Sequence, residues 1–372
     1  MIVFLWCLYI LSASVRLIGW LFFRLWINPG TPTKASTATA TEGISVVVCA
    51  HNNLKGLQQL LPHLVAQEFP WFEIIVVDDR SSDQTGSWLA EQAKQMGSLK
   101  VISIAQTPEN WNAKKYALSQ GIKAAQYPLL ALTDSDCIPF SQYWLQHVAK
   151  QLSPSGRSIF LGYSPYEEQS GLLSKIIKTE TFFTALQYFS MARAGLTYMG
   201  VGRNLGYRKS FLDKHLDNFP FQNHLGGDDD LLINQLSEGS DAAICVDAES
   251  FVLTFPPKDL KTWWKQKRRH LSAGIQYKLS TKTILGTYWL SASLFWLTFI
   301  ALFLFSPGDQ CLLLLTVHLG FFAVGSIILF PLFRIFKAVR LLPLFLFWDF
   351  LYIASSSIIG FSTFLVKNKK WN

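Results

Sequence analysis

The chain has 372 residues, half of them hydrophobic and only 16% charged, with a formal net charge of +8. That is enough for one sizeable domain or two small ones, and the mixture is too apolar for an ordinary soluble enzyme. The apolar excess gathers at the two ends, the pattern of a soluble domain held by membrane spans, so the positive charge points to an anionic membrane surface rather than to nucleic acid.

Residues 1–27 are apolar, with Arg16 and Arg24 on the C-terminal side and no Lys or Arg ahead of the run. They read as a retained transmembrane anchor rather than a cleaved signal. Residues 28–42, rich in Pro, Ser, Thr and Ala, read as a linker. Over 43–257, short apolar runs alternate with helical patterns. The runs 44–49, 73–77, 100–104 and 129–132 read as strands, and 54–67, 83–96, 112–125 and 140–151 as helices; 158–162 and 242–246 read as later strands. This alternation predicts a mostly parallel α/β sheet with nucleotide-binding capacity.

Two segments mix basic and aromatic residues at helical spacing, 172–191 and 258–280. The second carries Trp263, Trp264, Lys265, Lys267, Arg268 and Arg269. Such a helix suits a membrane interface, and the competing reading is a surface helix packed on the domain. A tail region, 281–366, holds three apolar stretches, about 284–305, 311–333 and 341–366. The last contains Pro343 and Asp349, which leaves open whether it crosses, re-enters or lies in the interface. The loop with Arg334, Lys337 and Arg340 faces the cytoplasm by the positive-inside rule. Loop 306–310 then lies outside and the α/β domain inside; a basic tail, 367–372, ends the chain. The five scattered cysteines (Cys7, Cys49, Cys137, Cys245 and Cys311) show no zinc-site spacing and read as small thiols in a reducing compartment.

Two acidic clusters carry the chemistry. Asp134-Ser135-Asp136 ends the apolar run 127–133, at the strand tip where open α/β sheets bind ligands. Carboxylates one residue apart suit a hard divalent cation that keeps substrate phosphates among its ligands. Gly227-Asp228-Asp229-Asp230 precedes a helical pattern and offers a base. Metal plus base points to group transfer from a diphosphate donor. A further acidic pair, Asp78-Asp79, ends the second strand. Plainer readings exist: Asp78-Asp79 before Ser81-Ser82-Asp83 suits a turn and helix cap, and Asp228 to Asp230 suit a helix N-terminus. Three adjacent like charges are costly without a purpose, which favours function. Further motifs are Cys49-Ala50-His51-Asn52-Asn53, Lys114-Lys115-Tyr116-Ala117-Leu118-Ser119 and Gln266-Lys267-Arg268-Arg269-His270.

In order and spacing, over roughly residues 44–275, these motifs resemble the membrane-anchored family 2 glycosyltransferases, which include cellulose, hyaluronan and chitin synthases and ceramide glucosyltransferases. The resemblance implies a GT-A type nucleotide-sugar-binding domain, a Rossmann-like, mostly parallel α/β sheet flanked by transmembrane helices. It implies an integral protein of the bacterial inner (plasma) membrane. Ala50, His51 and Asn52 would line the base pocket, and Asp78 and Asp79 would hold base and ribose. Lys114 would touch the donor, although Ala113 and Ser119 stand where the family has Gly and Asn. Asp134 and Asp136 match the metal-binding Asp-x-Asp for Mg²⁺ or Mn²⁺, Asp136 as direct ligand. Asp229 would be the base, with Asp228 beside it.

Gln266 to His270 match a Gln-x-x-Arg-Trp pattern, with His270 in place of Trp. Gln266 and Arg268 would then face the donor, Arg269 the departing diphosphate and His270 the acceptor. Arg203 and Asn204 fall where relatives contact the acceptor. The expected activity is inverting transfer from a nucleotide-sugar, a UDP-sugar first, to a membrane lipid or lipid-linked glycan. The expected partners are that donor, that acceptor and membrane lipids, and no nucleic acid. The alternatives are a processive polysaccharide synthase, disfavoured by His270 and the short tail, a non-catalytic membrane scaffold, and a nucleotidyltransferase of similar fold.

Overall fold

A computed structural model describes residues 1–27, 42–153, 157–216, 219, 222–224, 227, 229–237 and 242–365, with the backbone alone at 214, 364 and 365. Residues 28–41 of the linker, Asp228 and the basic tail 367–372 lie outside the described residues. In chain order the elements are α1 (Ile2–Trp26), β1 (Ile44–Ala50), α2 (Leu54–Val65), β2 (Phe72–Asp79), α3 (Thr85–Gln95), β3 (Leu99–Ile104) and α4 (Ala113–Ala124). Next come β4 (Leu129–Asp134), β5 (Cys137–Pro139), α5 (Trp144–Leu152), β6 (Ile159–Leu161), α6 (Leu172–Arg193), β7 (Leu205–Arg208), α7 (Lys209–Leu212) and α8 (Asp230–Leu236). The last are β8 (Ala242–Ile244), β9 (Val252–Thr254), α9 (Leu260–Gly274), α10 (Leu279–Phe305), α11 (Gly308–Ile335) and α12 (Phe345–Leu365). They form two compact units, one chiefly of Pro29–Glu167 and Met191–Pro256, the other of Met1–Asn28, Glu168–Ser190 and Pro257–Lys369.

The first unit is built on a seven-stranded sheet in the order β3-β2-β1-β4-β7-β6-β8. Strands β3, β2, β1 and β4 are parallel to one another, and β6 is parallel to β8; β7 alone runs against its neighbours β4 and β6. β1, β2 and β4 are near-continuous Val, Ile, Leu and Ala runs, the composition of strands covered on both faces. On one face Val46, Val48, Ile74, Val76 and Ala131 share a core with Leu57, Leu60, Leu61 and Leu64 of α2 and Trp144 and Val148 of α5. On the other face α4 packs close to β1 and β2: a Cβ on Gly121 would stand 2.5 Å from Val47 Cγ1 and 3.0 Å from Val77 Cγ2.

The order has a functional consequence. The chain lays β1, β2 and β3 outward, then returns to add β4 on the free side of β1. The order reverses between β1 and β4, and such a switch opens a crevice at their carboxyl ends. The sheet is mostly parallel, as the alternation predicts. The reversed β7 and a small antiparallel pair, β5 with β9, are additions that the sequence pattern does not signal.

Among the described residues, the second unit holds four helices long and apolar enough to cross a membrane: Ile2–Trp26, Leu279–Phe305, Gly308–Ile335 and Val339–Thr363. The third tail stretch thus contains a helix of spanning length. Pro343 lies inside a 3₁₀ turn, Val339–Leu344, that leads into α12, so α12 itself contains no proline. Asp349 is buried and paired with Arg16 of α1, and Trp296 Nε1 donates to its other oxygen at 2.8 Å. The Arg16 guanidinium also sits over the rings of Trp20 and Phe295, at 5.2 and 4.9 Å from their centroids. Residues 172–190 of α6 belong to this unit, with Phe182 stacked on Phe333 and Phe183 on Tyr352. Lys267 of α9 pairs with Glu180 of α6.

Candidate active site

The carboxyl ends of β1, β2 and β4 gather Ala50, His51, Asn52, Asp78, Asp79, Asp134 and Asp136. β1 ends at Ala50, buried and in register with Asp78 of β2. The next residues turn sharply. Asn52 adopts φ 49°, a left-handed conformation that Asn tolerates better than most side chains. Its amide N–H is held by Ser81 Oγ at 2.9 Å, and its side-chain oxygen accepts from Ser82 N–H at 2.7 Å and Asp83 N–H at 3.3 Å. His51 Nδ1 lies 2.5 Å from the Asp79 carbonyl oxygen. The loops after β1 and β2 are thereby clamped together before any ligand arrives.

The two β2 carboxylates are treated differently. Asp78 Oδ1 accepts from Ser81 N–H at 3.3 Å. Its other oxygen lies against α3, where a Cβ on Gly86 would stand 2.7 Å away, so a larger residue at 86 would push the Asp78 carboxylate aside. Asp79 is almost fully buried and takes both Nε and Nη2 of Arg80, at 2.8 and 3.2 Å. Arg80 itself is at φ 57°, which folds its side chain back onto its neighbour.

At the tip of β4, Lys114 Nζ donates to Asp134 Oδ1 at 3.0 Å, with both side chains about a third exposed. Asn112 caps α4 by accepting from Lys115 N–H, which fixes the helix start that carries Lys114. Asp134, Asp136 and Cys137 each bring one ligand atom within 4.8 Å of the others. Asp136 is open to solvent on one edge but crowded by protein on the rest. That desolvation, then the charge of Asp134, raises its pKa; Arg203, the Cys137 thiol and Lys114 act in the opposite direction. A carboxylate raised by burial and by a second carboxylate beside it belongs to a donor set that fits a hard divalent cation.

Arg203 connects this cluster to the second one. Its Nε donates to Ser164 Oγ at 3.1 Å and its Nη1 to Tyr166 Oη at 3.2 Å, and its guanidinium lies over the Tyr166 ring. It sits in a 3₁₀ turn, Gly202–Asn204. In that turn Gly202 N–H donates to Asp229 Oδ2 at 2.8 Å, while Asp229 Oδ1 accepts from Asp230 N–H at 2.8 Å. Asp229 is therefore both the N-cap of α8 and the neighbour of the arginine that bears on the Asp134–Asp136 pair. Asn204 is fully buried. Its oxygen accepts from Trp144 Nε1 at 3.0 Å, and its Nδ2 donates to the carbonyls of Tyr163 and Ser250 at 2.8 and 2.7 Å.

Gln266, Arg268, Arg269 and His270 lie on α9 in the other unit; the first three are half-buried and His270 is exposed. Asp228 lies outside the described residues. Sequence reasoning passed over Ser164, Tyr166 and Asn112. All are polar residues whose roles rest on contacts made across the fold or across a turn, which no local motif announces.

Residues 45–216 match the family described as glycosyl transferase family 2. Among curated proteins the chain is similar to the probable glycosyltransferase YdaM of Bacillus subtilis, 25% identical over 63% of this chain and 55% of that protein. It is also similar to the beta-monoglucosyldiacylglycerol synthase of Trichormus variabilis, 33% identical over 25% of this chain and 20% of that one. The matched stretches span about half of the first relative and a fifth of the second. Among solved structures, a mannosyltransferase from Pyrobaculum calidifontis, in complex with GDP-Man and Mn²⁺, shares the fold. Its TM-score is 0.60 at 15% identity, over 96% of this chain and 99% of that one.

Proposed function

We propose, for a chain that carries a glycosyltransferase family 2 domain over residues 45–216, inverting transfer of a sugar from a nucleotide-sugar to a membrane lipid or lipid-linked glycan. The observation that carries this reading is the convergence at one sheet edge of Asp134, Asp136, Lys114 and Arg203, with Asp229 held beside the Arg203 turn. Ala50, His51 and Asn52 form one wall of the donor pocket and Asp78 and Asp79 the other. The clamp between their loops means that little ordering remains to be done when the base and ribose bind.

Asp134 and Asp136 would hold Mg²⁺ or Mn²⁺. When bound, that ion supplies positive charge to the diphosphate as it departs. The related fold that holds Mn²⁺ with GDP-Man supports this assignment. Lys114 adds a charge-assisted bond to the same phosphates and orients Asp134. Asp229, kept in place by two backbone N–H groups, takes the proton of the acceptor hydroxyl. Attack on the face opposite the leaving group inverts the anomeric centre. Arg203 balances the local negative charge. Asn204 acts through its bonds, fixing the turn that carries Arg203. By sequence pattern alone, Gln266 and Arg268 are assigned to the donor, Arg269 to the departing diphosphate and His270 to the acceptor.

The acceptor class rests on the four helices of spanning length and on the diacylglycerol-glucosylating relative. The basic loop at Arg334, Lys337 and Arg340 supports a cytoplasmic catalytic unit. The test is transfer of radiolabelled sugar from UDP- and GDP-sugars into the lipid extract of membranes containing the protein. Label should enter the extract from one donor. Asp229→Asn should slow transfer about 10²–10⁴-fold while donor binding persists. Unchanged transfer by Asp229→Asn would remove Asp229 from the chemistry.

A further inference from the structure

A second set of ligand-type side chains lies in the α/β unit and shares no residue with the site above. His147, on α5, is 5% exposed. Its Nδ1 lies 3.8 Å from Cys245 Sγ, and its Nε2 lies 3.6 Å from Glu249 Oε2. That Nε2 is buried and has no hydrogen-bond partner among the described residues. Asp247 and Glu249 flank the start of a 3₁₀ turn, Ala248–Ser250, and one ligand atom from each of His147, Asp247 and Glu249 falls within 4.8 Å of the others.

We propose that His147 Nε2 and the carboxylates of Asp247 and Glu249 hold a divalent transition-metal ion, zinc in the first instance. Three arguments support this. A buried imidazole nitrogen without a hydrogen-bond donor or acceptor costs free energy unless something completes it, and a cation between it and two carboxylates does so. One imidazole with two carboxylates is a zinc-type donor set, with room for water as the fourth ligand. It is a poor one for Mg²⁺ or Ca²⁺, which want oxygen throughout. The groups are also held in place from behind. Cys245 Sγ lies 3.8 Å from the other ring nitrogen; with a metal on Nε2 the ring proton would sit on Nδ1 and point at that sulfur.

Asp247 Oδ1 accepts from Glu249 N–H at 3.0 Å. Asn204 bonds both Trp144 of α5 and the Ser250 carbonyl, so the helix and the turn that supply the ligands are already tied together. Cys245 is excluded as a ligand because its sulfur faces the wrong nitrogen. The ion would staple α5 to the chain that follows β8.

The full-length protein in detergent, stripped with chelator, is titrated with zinc by calorimetry and by thermal unfolding. Asp136→Ala is included so that the Asp134–Asp136 cluster drops out of the count. The expected result is one zinc equivalent that survives Asp136→Ala, raises the unfolding temperature, and is weakened at least 100-fold by His147→Ala and by Glu249→Gln. Glu249 is 46% exposed, so Glu249→Gln keeps the fold and guards against a collapsed His147 variant. X-ray absorption of the bound zinc should show nitrogen and oxygen ligands and no sulfur. Zinc binding that is lost with Asp136→Ala, that ignores Glu249→Gln, or that shows a sulfur ligand would overturn the assignment. A protein that binds no zinc would do the same and leave a plain His147–Glu249 ion pair.

Discussion

Asn204 shows how a residue can serve a site without facing it. The side chain is fully buried and makes bonds to Trp144 Nε1 and to the carbonyls of Tyr163 and Ser250. It thereby fixes the turn that presents Arg203 on one side and the His147 neighbourhood on the other. Asn204→Ala would strand one buried donor and two carbonyls, and each unsatisfied buried group costs about 1–3 kcal/mol. Equilibrium unfolding of the variant should show a loss of about 3 kcal/mol or more; a loss below about 1 kcal/mol would mean that water or repacking replaces these bonds. The sequence marks Asn204 by resemblance as an acceptor-side residue, not as the buried tie that its bonds make it. Its partners lie 41 to 60 positions away, and no spacing rule connects them. Asp134 and Asp136 are legible because strand tip and motif coincide within three residues. The Asp79–Arg80 pair is half legible: the residues adjoin, but only the left-handed turn at Arg80 closes them on each other.

At the scale of elements, the long apolar strands β1, β2 and β4 and their helices are readable because burial on both faces leaves an unbroken run of Val, Ile and Leu. β5, β9 and β7 span only three or four residues, too few to establish a period. Their pairing depends on the long-range return of the chain. The ambiguity in the third tail stretch has a comparable cause. Asp349 looks like a reason for the segment not to span until its partner, Arg16, is seen 333 residues earlier. Removing one member of a buried pair leaves the other charge uncompensated, at a cost of about 3–5 kcal/mol. Arg16→Ala should therefore lower the thermal midpoint of the detergent-solubilised protein markedly. Arg16→Leu combined with Asp349→Leu should recover most of that loss. If the double variant is as unstable as the single one, packing on Trp20 and Phe295 matters more than the charge pair.

The whole molecule combines an α/β unit that matches glycosyl transferase family 2 over residues 45–216 with a helical unit that has four candidate spans among the described residues. Composition marks the four apolar helices, because the apolar excess sits at the chain ends, but it does not mark α6, whose residues 172–190 join the helical unit. The proposed orientation rests on charge: the basic loop at 334–340 would face the cytoplasm and the loop at 306–310 the opposite side. Cysteine placed at Asp309 in a chain lacking its own cysteines should react with a membrane-impermeant thiol reagent in intact cells. Cysteine at Lys337 should react only after the membrane is opened. The reverse pattern would put the catalytic unit outside, where cytoplasmic nucleotide-sugars do not reach it.

The central claim is that the Asp134–Asp136 edge drives sugar transfer from a nucleotide donor. The most direct measurement is release of nucleoside diphosphate by the purified protein in native lipid, across UDP- and GDP-sugars, with and without Mn²⁺. The account predicts release from one donor that requires the metal, stops on chelation, and falls at least about 10²-fold in Asp136→Ala. Release that persists in Asp136→Ala, or a folded protein that binds donor and turns over none in the presence of lipid acceptor, would contradict it.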